Sequence, residues 1–345
     1  MHFLQRNRWW LGRILVLPLH LLLFVIIAFL IVRLVPGDPV RTLMGQNYTP
    51  EGYEKLQAAL GLGGSTGEQL WNYLTGVVRL DLGTSLISGR EIVDDFTTRL
   101  PATVELAVMG LICAVIVSLL LSYVAVMWPR NPAARLIRAY SQAAGAIPEY
   151  VLAIIAIFVF YAVLHWAPAP TGRLPTSMVT PPKVTGAPWL DTILTGNFEA
   201  TSAMTARLVL PIVVLVLALS PLIIRLLVSS VDEQIDAAPT LFRVACGSSR
   251  WTVLKSVYRR AAPPAVTMTG ALFGYMLGGA VILESLFGFT GIGSYAVDAV
   301  NSSDFPAMQG FLLVIAALSL LVFLIVDLVN MALDPRRRPG IRAEA

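Results

Sequence analysis

The stretch IDAAPTLFRVACGSSRWTVLKSVYRRAAPP, residues 235–264, is polar and basic, yet it lies between two long apolar runs. The run before it covers about residues 206–231, and the run after it covers about residues 264–287. A helix needs ~20 residues, at a rise of ~1.5 Å each, to cross a bilayer, and both runs are long enough. The sequence therefore predicts a solvated helical hairpin that joins two membrane spans on one side of the membrane.

The hairpin interpretation follows from helix signals on both sides of a break. Pro239 suits the first turn of a helix, Gly247 and the two serines after it interrupt the pattern, and Trp251–Arg260 is predicted as a second, basic helix. Three acids are placed at the start of the first helix, where the helix dipole favours negative charge: Asp232, Glu233 and Asp236. Exposed Phe242 and Trp251 favour a docking surface; the alternative is a loop that is merely solvated.

The composition excludes an ordinary soluble protein. Of the 345 residues, 56% are hydrophobic and only 13% are charged, and the mean hydropathy is +0.73. A soluble chain averages ~25% charged residues. Runs this long and apolar predict an all-α integral membrane protein, because each span must satisfy its own backbone hydrogen bonds in lipid.

Six runs are predicted to cross the membrane, at about 13–35, 103–128, 139–166, 206–231, 264–287 and 308–333. The first run could instead be a cleavable signal peptide. Its apolar stretch exceeds the usual ~7–15 residues, however, and no Ala-x-Ala site follows it. We therefore expect an uncleaved first span.

The orientation is predicted from lysine and arginine bias. Basic residues are in excess in residues 1–13, 128–138, 235–264 and 334–345, whereas residues 37–100 and 288–307 are acidic on balance. Because cytoplasmic segments carry the positive excess, both termini are predicted to be cytoplasmic. The net charge of +4 is then explained by topology, and no nucleic-acid partner is expected.

The chain divides into three parts on this interpretation. Residues 1–36 are an N-terminal cytoplasmic segment and first span, 37–100 are an extracytoplasmic helical segment, and 101–345 are a five-span core that includes cytoplasmic helices 232–262. Short helices are predicted at YTPEGYEKLQAALGL and GEQLWNYLTGVVRL in the outer segment and at WLDTILTGN in a later loop.

The chain carries no recognisable catalytic or metal-binding set. Its three histidines are scattered, at His2, His20 and His165, and none of its three lysines follows a glycine as in a phosphate-binding loop. Cys113 and Cys246 fall on different parts of the predicted fold, so no disulfide is expected. We therefore expect a chain that is not an enzyme and that binds no metal or cofactor itself.

A few residues inside the spans are candidates for a solute pathway. Gly270, Gly274 and Gly278 recur every fourth residue, which indicates either close helix packing or a pore-facing stripe. Glu284 lies near the outer end of the fifth run and is either a gate residue or a structural hydrogen-bond anchor. A structural role is expected for Asp327 in the sixth run. The pathway or gate candidates are Gly274, Gly278 and Glu284.

Three sequence blocks resemble the B-type membrane subunit of dipeptide and oligopeptide ABC importers. They are RLVPGDPVRTLMGQNYTPEGYEKLQAALGL, LDLGTSLISGREIVDDFTTRLPATVELAV and GGAVILESLFGFTGIGSYAVDAVNSSDFPAMQG. The first is similar to the family's Pro-Gly-Asp-Pro signature after span one, and the second to its Asp-Leu-Gly-x-Ser block. Together the blocks extend the resemblance over nearly the whole chain.

The resemblance implies a type I ABC importer permease fold of six transmembrane helices in the bacterial inner membrane. It also implies the partners: a second, homologous permease subunit, two ATP-binding subunits and an extracytoplasmic solute-binding protein. ATP and magnesium would belong to the ATP-binding subunits, and no cofactor is implied for this chain. The pathway would lie between the two permease subunits.

The resemblance further implies that the 232–262 segment contains the coupling helices that contact an ATP-binding subunit. The family motif, often Glu-Ala-Ala-x-x-x-Gly, aligns with LFRVACG at 241–247, so Ala245 and Gly247 match while Leu241, Phe242 and Arg243 depart. The implied coupling residues are Asp236, Pro239, Phe242, Arg243, Ala245, Cys246, Gly247, Ser248 and Trp251. Implied docking residues for the binding protein are Asp38, Asp81 and Asp304.

Two alternatives remain open for the function. Importers of nickel chelates, haem or another small solute share this family, and the sequence does not choose among solutes. An ion-coupled secondary transporter would favour an inverted repeat with ionisable residues at the midplane, and no repeat is recognised.

Overall fold

The computed structural model describes residues 2–34, 37–60, 62–143 and 145–333, without the side chains of residues 2–14, 59 and 280. The basic tail 334–345 and the arginine side chains of residues 1–13, both used to predict orientation, lie outside that description. Thirteen α-helices form in the described part of the chain: α1 (His2–Leu34), α2 (Pro39–Met44), α3 (Pro50–Ala59), α4 (Thr66–Val78), α5 (Ile92–Met127), α6 (Pro132–Gln142), α7 (Glu149–Ala156), α8 (Pro188–Leu194), α9 (Phe198–Ile235), α10 (Ala238–Ala245), α11 (Arg250–Phe287), α12 (Ile292–Asn301) and α13 (Phe305–Leu333).

The helices confirm an all-α membrane fold, but they do not confirm six spans. Four segments of the described chain are long and apolar enough to cross a bilayer: Leu15–Leu34, α5, α9 and α13. A fifth is α11, which bends by 57° between Gly279 and Val281. A bend at paired glycines is expected, because they support the helix backbone weakly.

The third predicted run, 139–166, is not one helix. It breaks after Gln142, and α7 begins only at Glu149 and continues as a π-helical segment, Ile157–Val163. Gly145, at a φ of +77°, and Pro148 lie in the break. The resulting apolar helix, Glu149–Val163, is shorter than the length needed to span a bilayer straight.

The core of the fold is built around α9. It packs against α5 and α11 along its length and against α6, α7 and α8 elsewhere. Its buried residues recur every three or four positions, as in Leu208, Leu215, Leu219 and Ile223. The approach of α5 is close, since a Cβ at Gly110 would lie 2.5 Å from Leu215 Cδ1.

The outer segment is attached to the ends of α1 and α13. The ring of Tyr73 stacks on Phe29 with centroids 5.8 Å apart, and its hydroxyl donates to the Gln309 carbonyl at 3.3 Å. The two short helices predicted in this segment are confirmed: α3 starts at Pro50 after the cap Thr49, and Ser65 forms a capping box with Glu68 at the start of α4.

Candidate functional site

A hairpin at residues 236–251, here called the α10 hairpin, joins the ends of α9 and α11. Gly247 turns the chain at a φ of +72°, a conformation that favours glycine. The Ser249 hydroxyl then accepts the Thr252 backbone N–H at 3.3 Å and caps α11. The predicted separate helix Trp251–Arg260 is wrong, because α11 runs without interruption from Arg250 through Pro263 and Pro264.

The acids before the hairpin also differ from the prediction. Asp232 and Glu233 lie in the last turn of α9, not at the start of a helix, and Asp236 is its exposed C-cap. Asp232 accepts two hydrogen bonds from Arg138 of α6, at 2.8 and 3.3 Å. The hydrogen bond to Asp232 raises the pKa of Arg138. This ion pair compensates the unfavourable position of an acid at a helix C-terminus.

Hydrogen bonds among three side chains hold α10 against both of its neighbours. Arg260 of α11 donates to Gln234 Oε1 at 3.1 Å and to the Thr240 hydroxyl. Thr240, which is buried, donates to the Gln234 carbonyl at 2.6 Å. These hydrogen bonds join α10 to the last turn of α9 and to the first part of α11.

The outer face of the α10 hairpin is apolar and uncovered. Phe242 is 70% exposed and Trp251 71% exposed, and Leu241 and Val244 of α10 are exposed as well. Such a grouping of large apolar side chains indicates a contact surface for another protein. Phe242 and Trp251 are among the predicted contacts, whereas Leu241 and Val244 are not, although their spacing of three residues places them on one side of α10.

The remaining predicted contact residues lie on the same hairpin. Pro239 is in the first turn of α10, Ala245 and Cys246 are exposed at its end, and Ser248 is half-buried. Arg243 is exposed in the last turn of α10.

Glu284 lies at the opposite end of α11, where it is fully buried. The Thr103 hydroxyl donates to Glu284 Oε1, and the Gly293 N–H donates to Oε2 at 3.0 Å. Thr103 in turn accepts the Ile292 N–H at 3.0 Å. A Cβ at Gly291 would lie 1.9 Å from Oε1, so the turn into α12 requires glycine there.

A second buried acid lies beside this group. Glu105 of α5 pairs with Arg173 at 3.0 Å and accepts the N–H groups of Trp189 and Leu190. Burial lowers the pKa of Arg173, and the nearby carboxylates of Glu105 and Glu284 oppose that shift. The guanidinium also lies 4.8 Å from the centre of the Phe289 ring. These contacts fasten the loop before α8 to α5 and to the end of α11. They agree with the interpretation of Glu284 as a structural anchor. The role of Glu284 as a gate stays a prediction.

The three glycines of the α11 stripe lie in different environments. A Cβ at Gly270 would lie 2.7 Å from Val326 Cγ2, so α13 packs closely there, whereas a Cβ at Gly274 would lie 3.6 Å from Ser319 Oγ. At Gly278 nothing lies within 4 Å. Close packing accounts for the first position, and Gly278 faces open space.

The three predicted outer docking residues occupy different environments. Asp38 caps α2 and accepts the Tyr53 hydroxyl at 3.0 Å, while Asp81 is exposed. Asp304 is only 2% exposed and accepts the Ser85 hydroxyl at 2.6 Å. Its burial argues against direct docking by Asp304, and docking stays a prediction for the other two.

One residue that the sequence analysis missed is Glu149, at the start of α7. It lines a cleft of about 410 Å³ between α7, α9 and α11. The signal was available, since an acid inside the apolar run 139–166 is costly in lipid and therefore informative.

Comparison with known proteins places these features in a family. Residues 107–339 match the family described as binding-protein-dependent transport system inner membrane component, and residues 6–107 match the N-terminal part of such components. The chain is 32% identical over 312 residues to the probable D,D-dipeptide transport system permease protein DdpB of Escherichia coli (strain K12), covering 90% of this chain and 92% of that protein.

Two other relatives are similar over the same length. The chain is 31% identical over 326 residues to the dipeptide transport system permease protein DppB of Alkalihalophilus pseudofirmus, covering 94% of this chain and 97% of the relative. It is 28% identical over 313 residues to the glutathione transport system permease protein GsiC of Escherichia coli (strain K12), covering 91% and 93%. The chain belongs to the family of binding-protein-dependent transport system inner membrane components, the permeases of ABC importers.

Proposed function

We propose that this permease imports peptides, together with a second permease subunit, two ATP-binding subunits and an extracytoplasmic binding protein. The support for peptides is that the relatives aligned over nine-tenths of the chain are named for D,D-dipeptide, dipeptide and glutathione transport. The observation that carries the coupling to ATP is the uncovered apolar face of the α10 hairpin.

The α10 hairpin seats in a cleft of one ATP-binding subunit. Closure of the ATP-binding subunits on ATP moves α10, and the hydrogen bonds of Arg260 carry the movement into α9 and α11. Because these helices form the centre of the bundle, the chain moves as one packed body between two arrangements of the pathway.

The buried group around Glu284 and Glu105 holds the far end of α11 against α5. It ties α5, α11 and the loop before α8 into a single unit. Movement is then expected at the interface with the second permease subunit, while the interior of this chain stays intact.

The positive-inside pattern supports an orientation with both termini and the α10 hairpin in the cytoplasm of a bacterial inner membrane. The outer segment, α2–α4, then faces the binding protein. This chain performs no hydrolysis in this scheme, since ATP is bound and cleaved by its partners.

The proposal is tested by reconstituting the complete importer in proteoliposomes with the binding protein on the outer side. We expect ATP-dependent accumulation of radiolabelled dialanine and none of a nickel chelate or haem. Accumulation of a chelate or haem in place of the dipeptide would assign a different solute class. Accumulation that does not depend on ATP would reject the importer mechanism.

A further inference from the structure

The Glu149 cleft lies between the start of α7 and the middle parts of α9 and α11. Its walls are largely apolar and include Pro148, Leu219, Leu272 and Tyr275. Among the described lining residues, Glu149 supplies the carboxylate, and none of them is basic. Ala271 and Tyr275 are exposed at its edge, so the cleft opens at the surface of this chain.

The carboxylate of Glu149 is unusual because one of its oxygens is unsatisfied. Glu149 Oε2 is buried and has no hydrogen-bond partner among the described residues. Oε1 lies close against α11, where a Cβ at Gly279 would be 3.0 Å from it. Buried polar atoms are nearly always hydrogen-bonded in proteins, so an unpaired carboxylate oxygen requires an explanation.

The position of Glu149 also sets it apart from the acids at the ends of the bundle. Its cleft contacts α9 at Leu219 and Leu222, well inside the helix Phe198–Ile235. Carboxylates at such depth are rare and line the pathways of solutes or ions when they occur. In contrast to Glu149, both carboxylate oxygens of Glu284 are hydrogen-bonded within the chain.

We infer that the Glu149 carboxylate receives a cationic group of the solute in transit, namely an ammonium such as the amino terminus of a peptide. A cleft of about 410 Å³ is within the size range of small-molecule sites, ~300–1,000 Å³, and its apolar walls accept the rest of the solute. The identity of the solute as a peptide rests on the proposed function. The negative charge of the cleft is independent of the proposed function.

The first test measures this charge with thiol reagents. Cys113 and Cys246 are replaced by serine, and Ala271→Cys places one thiol in the cleft of the assembled importer. The rates of modification by cationic trimethylammonium-ethyl methanethiosulfonate and by anionic sulfonatoethyl methanethiosulfonate are compared, each relative to a free thiol. We expect the thiol to react faster with the cationic reagent when Glu149 is in place. Glu149→Gln should lower the ratio of the cationic to the anionic modification rate about fivefold. A single charge ~8 Å from a thiol changes this ratio by that much even at the dielectric constant of water.

The controls separate charge from structure. Glu149→Asp keeps the charge and should keep the ratio, and Glu199→Gln removes an exposed acid in the first turn of α9 and should leave it unchanged. The inference is overturned if the protein with Glu149 in place shows no cation preference, or if the introduced thiol is unreactive both at rest and with vanadate-trapped ATP-binding subunits. A basic residue of the second permease subunit that neutralises Glu149 would also overturn it, and would show as the absence of cation preference while Glu149 is in place.

A second readout tests contact with the solute. ATP-driven uptake of dialanine should fall about tenfold in Glu149→Gln, the loss expected for a charge-assisted hydrogen bond, and recover in Glu149→Asp. Unchanged uptake despite a changed thiol ratio would reject solute contact. No dialanine uptake by the wild-type importer would reject the peptide proposal alone, because the thiol ratio is measured without peptide.

Discussion

Arg173 and Glu105 form an ion pair at 3.0 Å in which the side chains are only 10% and 6% exposed. The pair joins the loop before α8 to α5, and the Arg173 guanidinium also donates to the Ala102 carbonyl at 2.6 Å. The energetic importance of this pair is therefore the first thing to test.

Arg173→Met should destabilise the protein strongly, because it leaves the Glu105 carboxylate buried without its charge partner. Loss of one member of a buried pair costs about 3–5 kcal/mol. The measurement is the thermal unfolding midpoint in detergent, with proteolysis of the loop before α8 as a local readout.

The matched control is Arg41→Met, which removes a pair between Arg41 and Asp38 at 3.6 Å whose side chains are 68% and 32% exposed. An exposed pair contributes at most about 1 kcal/mol. Equal losses in the two variants would show that burial of the Arg173 pair has no special importance.

Gly291→Ala should disrupt the turn into α12. The added Cβ would lie 1.9 Å from Glu284 Oε1, so the carboxylate must move and lose its hydrogen bonds to Thr103 or Gly293. We expect a lower unfolding midpoint and a lower yield of folded protein. Gly278→Ala, with open space at the same atom, should keep the midpoint or raise it through better helix propensity. A tolerated Gly291→Ala would mean that Glu284 is not held in place by this turn.

Phe242→Ala should weaken the complex with the ATP-binding subunit and leave the fold of this chain intact. A central, exposed aromatic contact contributes about 2 kcal/mol or more to an interface, which is ~30-fold in Kd. The measurement is binding of the purified ATP-binding subunit to permease in nanodiscs. Leu80→Ala, which removes an 81% exposed apolar side chain far from the hairpin in sequence, is the control. Wild-type affinity in Phe242→Ala would place the contact elsewhere.

The sequence predicts the long helices well because hydrophobicity and helix length follow directly from the bilayer. The sequence does not predict the break between Gln142 and Glu149, because the run 139–166 is apolar over most of its length and this signal outweighs Gly145 and Pro148. The opposite error occurs at Pro263 and Pro264. The sequence predicts that one helix ends at Arg260 and that a span begins near residue 264, yet α11 runs through both prolines because neighbouring helices pack around it.

In the candidate site, too, features set by local sequence are predictable and features set by distant contacts are not. Local signals, such as Gly247 and the aromatic Trp251, place the α10 hairpin correctly from sequence. The partners of Glu284 are distant in the chain or beyond a turn, at Thr103 and Gly293, and only the packed fold brings them together. Glu149 lacks any such partner at Oε2 among the described residues, which no sequence pattern can show.

Thr240→Val tests the transmission of movement separately from docking. The substitution keeps the shape of a buried side chain but removes the hydroxyl that joins Arg260 to the Gln234 carbonyl. We expect a local loss of about 1–3 kcal/mol, seen as faster amide hydrogen exchange in α10.

The exposed face of α10 is unchanged in this variant, so the ATP-binding subunit should still bind while transport per ATP hydrolysed falls. Thr252→Val, which alters a hydroxyl beside the cap of α11 but not the Arg260 contacts, serves as the control. If Thr240→Val transports as efficiently per ATP as the wild type despite faster exchange in α10, then the hydrogen bonds of Arg260 stabilise the hairpin without transmitting its movement.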